Sequence, residues 1–220
     1  MPCPVCTDTV KYIYVAFLTT PTKIGKAIRK FTKNKYSHVV LSFNEDLRTM
    51  YSFARYNVNS PLVAGFVEES ALRYYYFKQK DIPVKICKIP LTPQKHTEVL
   101  DYISSVRNNS EQYVYNLFAL AAASIHKKVQ IEKSYTCLEF VYSVLYSCKI
   151  ETSIDINSYY SIVDLENALS KYVVYEGNFL TLTSSLNWGN DLFYYRKSVR
   201  KVITGSLRQC GTLIKRSFIS

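Results

Sequence analysis

The sequence predicts an α+β fold in which an antiparallel sheet packs against helices. Segments rich in β-branched and aromatic residues come mainly in the first half of the chain, and segments with helical periodicity come mainly in the second half. This order is typical of α+β domains and not of alternating βαβ units. A turn at 44–47 also joins two strand-like segments into a hairpin. The predicted strands are 10–18, 36–43, 48–56, 62–67, 73–79, 83–91 and 173–182, and the predicted helices are 93–106, 112–126, 137–146 and 161–172.

The charge of the chain is strongly positive and unevenly distributed. Of 220 residues, 28 are basic and 17 acidic, which gives a net charge of +11. Residues 9–44 and 196–220 each carry seven basic residues and no acidic residue. Such concentrated charge favours an anionic partner, and nucleic acid and an anionic lipid surface are both candidates on this criterion.

The first basic segment has the pattern of an amphipathic helix that begins after Thr20-Pro21. Its apolar positions recur with a spacing of three and four residues, and its other face is basic. We expect this helix to bind anions beside the segment that follows it, unless its lysines are simply solvated. The apolar positions are Ile24, Ala27, Ile28 and Phe31, and the basic ones are Lys23, Lys26, Arg29, Lys30 and Lys33.

Several classes of protein do not fit the sequence. Six glycines and the absence of a phosphate-binding or dinucleotide motif argue against a nucleotide site. The start of the chain lacks the pattern of a signal peptide, and the apolar run 117–125 is too short for a membrane span. Cys3 and Cys6 form one C-x-x-C without further ligands nearby in sequence. We therefore expect a cytoplasmic chain with reduced cysteines and with neither a metal nor a cofactor.

The segment 135–141 contains a cysteine at a predicted helix start. Thr136 is a good N-cap, and Glu139 follows at the spacing of a capping box. Cys137 then occupies the first helical position, where unpaired N–H groups and the helix dipole favour a thiolate. The alternative is a small buried residue that happens to begin a helix. The local pattern does not decide between a nucleophile and a structural cysteine.

Histidine is the natural partner of such a thiol, and the chain has three. His96 lies in a polar helical turn and His126 at a helix end, and both have the pattern of structural residues. His38 lies in the middle of a predicted strand. The hairpin turn places position 38 opposite about 52 to 54, so Ser52 is expected beside His38.

A catalytic imidazole also needs a group that orients it. We predict Ser52 for this role. Tyr51 and Arg55 are alternatives if the register slips by one residue, and Glu139 is a weaker candidate because the capping box already uses it.

These motifs resemble the circularly permuted branch of the NlpC-type papain-like superfamily. They are Ser37-His38-Val39, Tyr51-Ser52-Phe53 and the segment 135–141, and the resemblance covers roughly residues 10 to 150. That branch includes bacterial cysteine hydrolases and the lecithin–retinol acyltransferase-like enzymes, and in it the histidine precedes the nucleophile. The resemblance implies Cys137 as nucleophile, His38 as general base and a polar third residue that is often His, Asn or Glu. Ser52 departs from that choice.

The resemblance implies acyl transfer through a thioester and a papain-like catalytic domain over 1–185, followed by a basic extension over 186–220. We expect an amide or ester substrate, either a lipid or a peptide, and contact of the chain with an anionic membrane. We do not expect nucleic acid, because no reading motif is present. The alternative function is a non-catalytic protein that binds anions or a membrane surface. The residues predicted to bind substrate are Tyr135, Lys26, Lys30 and Lys35.

Overall fold

The computed structural model describes residues 9–22, 25–26, 29–30, 34–75, 81–183 and 191–218. The C-x-x-C pair and several residues of the predicted basic helix lie outside them. Within that predicted helix, Gly25, Lys26, Arg29 and Lys30 are helical. The residues outside the described part are Cys3, Cys6, Lys23, Ile24, Ala27, Ile28, Phe31 and Lys33.

A six-stranded sheet, antiparallel throughout, is the centre of the fold, with the strand order β4-β3-β2-β1-β5-β8. A separate pair, β6 and β7, is parallel and two residues long in each strand. The structure therefore confirms the α+β class and the antiparallel sheet. The strands are β1 (Lys11–Leu18), β2 (His38–Ser42), β3 (Met50–Arg55), β4 (Ala64–Glu69), β5 (Pro83–Leu91), β6 (Val114–Tyr115), β7 (Ser134–Tyr135) and β8 (Val173–Asn178).

Besides the helical residues at 25–26 and 29–30, the described part of the chain has seven α-helices with defined bounds, and four short 3-10 turns accompany them. The α-helices are α1 (Leu72–Tyr75), α2 (Pro93–Asn108), α3 (Leu117–Ala122), α4 (Cys137–Ser147), α5 (Ile162–Ala168), α6 (Phe179–Leu182) and α7 (Val199–Ser217). The 3-10 turns are Ser110–Gln112, Ala123–Ile125, Ser170–Tyr172 and Leu192–Tyr194. No helix among these residues combines the length and the hydrophobicity that crossing a bilayer requires.

Two predicted strands are wrong in part. The predicted strand 73–79 begins as helix α1, where Arg73 forms a buried ion pair with Asp191 and Tyr74 packs on Phe179, and residues 76–79 lie outside the described part. These tertiary contacts outweigh the β propensity of an aromatic run. The predicted strand 173–182 ends at Asn178, whose side chain accepts the backbone N–H of Leu180 and caps α6.

The predicted helix 112–126 is also wrong in its first part, which contains a 3-10 residue and strand β6. The helix begins only at Leu117, because the Asn116 side chain accepts the backbone N–H of Ala119 at 3.0 Å and caps α3. The predicted strand 62–67 stops too early, because Glu68 and Glu69 continue β4 and are paired with β3. This difference matters for the site described below, because Glu69 belongs to it.

Both faces of the sheet are covered. On one face, alternate residues of β1 and β2 pack against α2 and α4 around Phe140 and Ile103. On the other face, Val40 and Met50 pack with Tyr74 and Phe179 of the short helices. The start of β2 and the start of α4 therefore meet where strands and helices converge, and the sheet holds both in place.

The residues after 190 pack onto the same sheet. Asp191 accepts hydrogen bonds from the buried guanidinium of Arg73, and the Gln209 side chain on α7 bonds both the N–H and the carbonyl of Ala64 at 2.9 Å. The boundary predicted between 185 and 186 lies outside the described residues.

Candidate active site

Cys137 is the first residue of α4, as predicted, and the capping box is complete. The backbone N–H of Glu139 donates to Thr136 Oγ1 at 3.2 Å, and the backbone N–H of Thr136 donates to Glu139 Oε2 at 2.7 Å. The cap fixes the first turn and leaves the Cys137 N–H outside the intrahelical bonds. Only 6% of Cys137 is exposed, yet it lines two cavities. A small molecule in either cavity can therefore contact Cys137.

His38, the first residue of β2, is buried, and it lines the same cavity as Cys137. Its Nε2 atom lies 2.7 Å from Oε1 of Glu69. Because the carboxylate occupies Nε2, Nδ1 is the ring nitrogen left for a further partner. A thiol, an imidazole and a carboxylate thus line one cavity. These are the groups that nucleophilic catalysis by cysteine requires.

The charges of this group are mutually stabilising. Burial alone would lower the pKa of His38, but the Glu69 carboxylate and the Cys137 side chain outweigh burial and raise that pKa to about 10. Burial would likewise raise the pKa of Glu69, whereas His38 and the nearby Arg73 lower it below its usual value. At neutral pH the imidazole is therefore positively charged and the carboxylate negatively charged. An imidazolium beside a thiol favours the thiolate.

Ser52 lies beside His38, as the hairpin register predicts, and Glu69 shares the same ring nitrogen. Ser52 Oγ is 3.4 Å from His38 Nε2, and it donates to the carbonyl of Val39 at 3.1 Å. Glu69 approaches the same nitrogen more closely and carries a charge. The role predicted for Ser52 stays a prediction, and Glu69 is the closer and charged candidate for orienting the imidazole.

The three alternatives named for that role are engaged elsewhere. The Tyr51 hydroxyl accepts a bond from Arg107, Arg55 donates to the carbonyl of Val58, and Glu139 closes the capping box. A signal for Glu69 was present in the sequence. If 64–69 is one strand, Glu69 shares a face with Val67, which is paired with Ser52.

Tyr115 is a site residue that the sequence reasoning missed. It lies on β6, paired with Tyr135 two residues before the nucleophile. Tyr115 and Cys137 line the same two cavities. Burial and the nearby Cys137 raise the pKa of Tyr115 well above its usual value, so the hydroxyl keeps its proton. The sequence predicted a helix over 112–126, so Tyr115 was not expected on a strand beside Cys137.

Cys137 lies where two cavities of different chemistry meet. A cavity of about 260 Å³ contains His38 and Glu69, and most of its remaining wall is apolar, including Phe53, Leu117 and Phe193. A second cavity of about 380 Å³ extends along the other side of Cys137 and has a more polar wall. Its polar lining includes Lys127, Lys128, Tyr159, Ser161 and Asp164. Tyr115 lines both cavities.

The four residues predicted to bind substrate do not line either cavity. Tyr135 packs against Phe53 in the core. Lys35 forms an ion pair with Glu176 at 2.7 Å, and Lys26 and Lys30 are exposed. These four assignments stay predictions, and the cations that line the two cavities come from other elements. They are Arg55 and Arg73 in the smaller cavity and Lys127 and Lys128 in the larger one.

The other histidines and cysteines have different surroundings. His96 packs on Phe43, and His126 caps a 3-10 turn and stacks on Tyr159. Burial raises the pKa of Cys87 to about 12 and also raises that of Cys148. In the part of the chain that the structure describes, no cluster of three or more potential metal ligands is present.

Comparisons with family models, with curated proteins and with solved structures find no match.

Proposed function

We propose that this chain is a cysteine-dependent acyl hydrolase or acyltransferase that acts on an ester or amide through a thioester. One observation carries the proposal: Cys137, at a capped helix start, lines the same cavity as a buried imidazole that Glu69 holds at 2.7 Å. A structural cysteine needs neither the buried imidazole nor the buried carboxylate. Burying such an ion pair costs folding free energy, so its presence here indicates a functional site.

The first half of the reaction acylates Cys137. The Sγ thiolate attacks the carbonyl carbon, and a C–S bond forms as the carbonyl electrons move onto oxygen. When the tetrahedral intermediate collapses, the C–O or C–N bond breaks and the leaving group takes the proton of the His38 imidazolium. Glu69 keeps the ring oriented throughout and stays ionised. The products of this half are the free alcohol or amine and the acyl thioester.

The second half releases the acyl group. Neutral His38 takes a proton from water, or from an acceptor alcohol or amine, as that molecule attacks the thioester carbonyl. The C–S bond breaks, and the sulfur leaves as thiolate beside the re-formed imidazolium. With water as acceptor the chain is a hydrolase, and with another nucleophile it is an acyltransferase.

Two donors are available for the oxyanion that forms in each half. The Cys137 N–H is at the start of α4, and Tyr115 lines the same two cavities as Cys137. Because Tyr115 keeps its proton, it can donate to the developing negative charge. Tyr115 is thus proposed to stabilise the oxyanion together with the main chain.

The cavities support a substrate with an apolar part and a polar or anionic part. The acyl group fits the smaller, mainly apolar cavity, and the leaving group fits the larger one, where Lys127 and Lys128 favour negative charge. The likeness to the permuted papain-like branch supports the same chemistry, since His38 precedes Cys137 and an antiparallel sheet bears the imidazole.

The test is to incubate the chain with 4-nitrophenyl esters of increasing acyl length and to measure nitrophenol release and intact mass. We expect a release that depends on Cys137, and an acyl mass on Cys137 that hydroxylamine removes. Cys137→Ser and His38→Ala should each abolish the acyl adduct, whereas Cys210→Ser should not. Equal acylation of Cys137→Ser and wild type would exclude the thioester route.

The non-catalytic alternative has one observation in its favour, the exposed helix α7 described below. It predicts that the chain binds anionic surfaces but that Cys137 never forms an acyl adduct. The mass measurement therefore separates the two functions.

A further inference from the structure

Helix α7 leaves a row of large apolar side chains exposed to solvent. Successive members are separated by four, four, seven and four residues, so at 3.6 residues per turn they fall within an arc of about 100°. Ile203 is 54% exposed, Leu207 68% and Phe218, directly after the helix, 86%. We call this row the apolar stripe. It consists of Val199, Ile203, Leu207, Ile214 and Phe218.

The stripe is not the face that attaches α7 to the sheet. The helix docks through Leu213 and Gln209, both buried, and Gln209 bonds the main chain of Ala64. Gly205 allows close approach, because a Cβ atom there would lie 3.1 Å from Val63 Cγ2. The helix is therefore fixed to β4 with the stripe directed away from it.

Basic side chains run along the stripe, and the helix contains no acidic residue. We call these side chains the basic flank. All of its members are exposed. The basic flank consists of Arg200, Lys201, Arg208 and Lys215.

We propose that α7 is a docking surface for an anionic lipid bilayer, lying in the membrane plane with the apolar stripe inserted at the headgroup boundary. An apolar stripe beside a row of cations is the pattern of interfacial helices. Charge complementarity selects the partner. A second copy packed on the same stripe would bring two basic flanks together without a counter-charge, whereas anionic headgroups neutralise them.

Docking in this orientation places the bilayer beside the smaller cavity. The loop that precedes Ala64 contains Leu62, which lines that cavity and is partly exposed. Gly205 and Gln209 hold α7 against Val63 and Ala64. The docking proposal does not depend on the catalytic one, since it concerns binding and not the thiol.

The test is sedimentation of the full chain with vesicles of phosphatidylcholine, with and without phosphatidylserine. We expect binding to the anionic vesicles that weakens as salt rises. Ile203→Ser/Leu207→Ser should weaken binding at least about tenfold, and Arg208→Gln/Lys215→Gln about fivefold for each charge removed. Val174→Ser, at a similarly exposed valine on β8, is the matched control and should bind as wild type.

Two results would overturn the proposal. One is undiminished vesicle binding by Ile203→Ser/Leu207→Ser when circular dichroism shows that this variant is folded. The other is self-association in sedimentation velocity that the same double variant abolishes, with no vesicle binding, which would assign the stripe to a second copy. Cys137→Ser should bind vesicles as wild type, so a failure of the catalytic proposal leaves this one standing.

Discussion

Two side chains approach the same ring nitrogen of His38. Their distance and charge determine which one orients the imidazole. Glu69 Oε1 is at 2.7 Å and Ser52 Oγ at 3.4 Å. A carboxylate at hydrogen-bond distance stabilises the imidazolium and fixes the ring, whereas a hydroxyl at the longer distance does neither strongly. Tyr74 also donates to Glu69 Oε2 at 3.4 Å, which adds a second contact to the carboxylate.

Glu69→Gln tests this assignment, and Glu68→Gln is its matched control. Loss of the charge should lower the His38 pKa and decrease the rate of Cys137 acylation by about a hundredfold or more. Glu68 is the neighbouring residue, but it is exposed and paired with Arg107, so its substitution should change the rate little. The rate of acyl-adduct formation measures both. Equal rates for the two variants would contradict the role of Glu69.

Titration of His38 should make stability depend on pH. Its pKa is about 10 in the folded chain and about 6.5 in an unfolded one, so between these values the folded state binds more protons. This contribution is complete below about pH 6.5 and is lost as pH rises towards 10, by at most about 1.4 kcal/mol per unit. Urea unfolding across this range should show a smaller decrease in His38→Gln. Parallel pH profiles in the two proteins would contradict it.

At the scale of elements, the site depends on where α4 begins. The capping box that places Cys137 at the first position consists of a threonine and a glutamate three residues apart. Thr136→Ala should cost about 1 kcal/mol of folding free energy and should slow alkylation of Cys137, because the first turn loses its anchor. Thr92→Ala removes an equivalent cap from α2, and it should cost a similar stability without slowing alkylation. Urea unfolding and iodoacetamide kinetics measure the two effects.

The start of α4 could be predicted because all of its determinants lie within four residues of sequence. The neighbourhood of His38 and Ser52 could be predicted because a short turn fixes the hairpin register. Glu69 could not be assigned in the same way, since its place depends on the pairing of β4 with β3 across an irregular loop. Tyr115 was missed because helical periodicity continues through a segment that the Asn116 cap interrupts.

At the scale of the whole molecule, the residues after 190 are fastened to the sheet by a buried ion pair. Asp191 and Arg73 are both buried, and Arg73 also lines the smaller cavity. The composition of the sequence indicated only a basic tail. The contacts that attach this tail to the sheet join residues more than 100 positions apart. Long-range pairing of this kind leaves no periodic pattern in the sequence.

Asp191→Ala should destabilise the fold by about 3 to 5 kcal/mol, because Arg73 is then buried without its counter-charge. The matched control is Asp46→Ala, which breaks a surface ion pair with Arg48 and should cost at most about 1 kcal/mol. Thermal or urea unfolding compares the two variants. A similar small cost in both would show that the segment after 190 is not fastened in this way.

The pairing of Cys137 with His38 is the central claim, and the pH dependence of alkylation at each cysteine, read by mass spectrometry, tests it most directly. In the native chain Cys137 should be alkylated faster than Cys210 at neutral pH, while Cys87 stays inert. His38→Ala should abolish this faster reaction at Cys137 and leave Cys210 unchanged. If Cys137 is inert, or reacts the same way without His38, the claim is wrong.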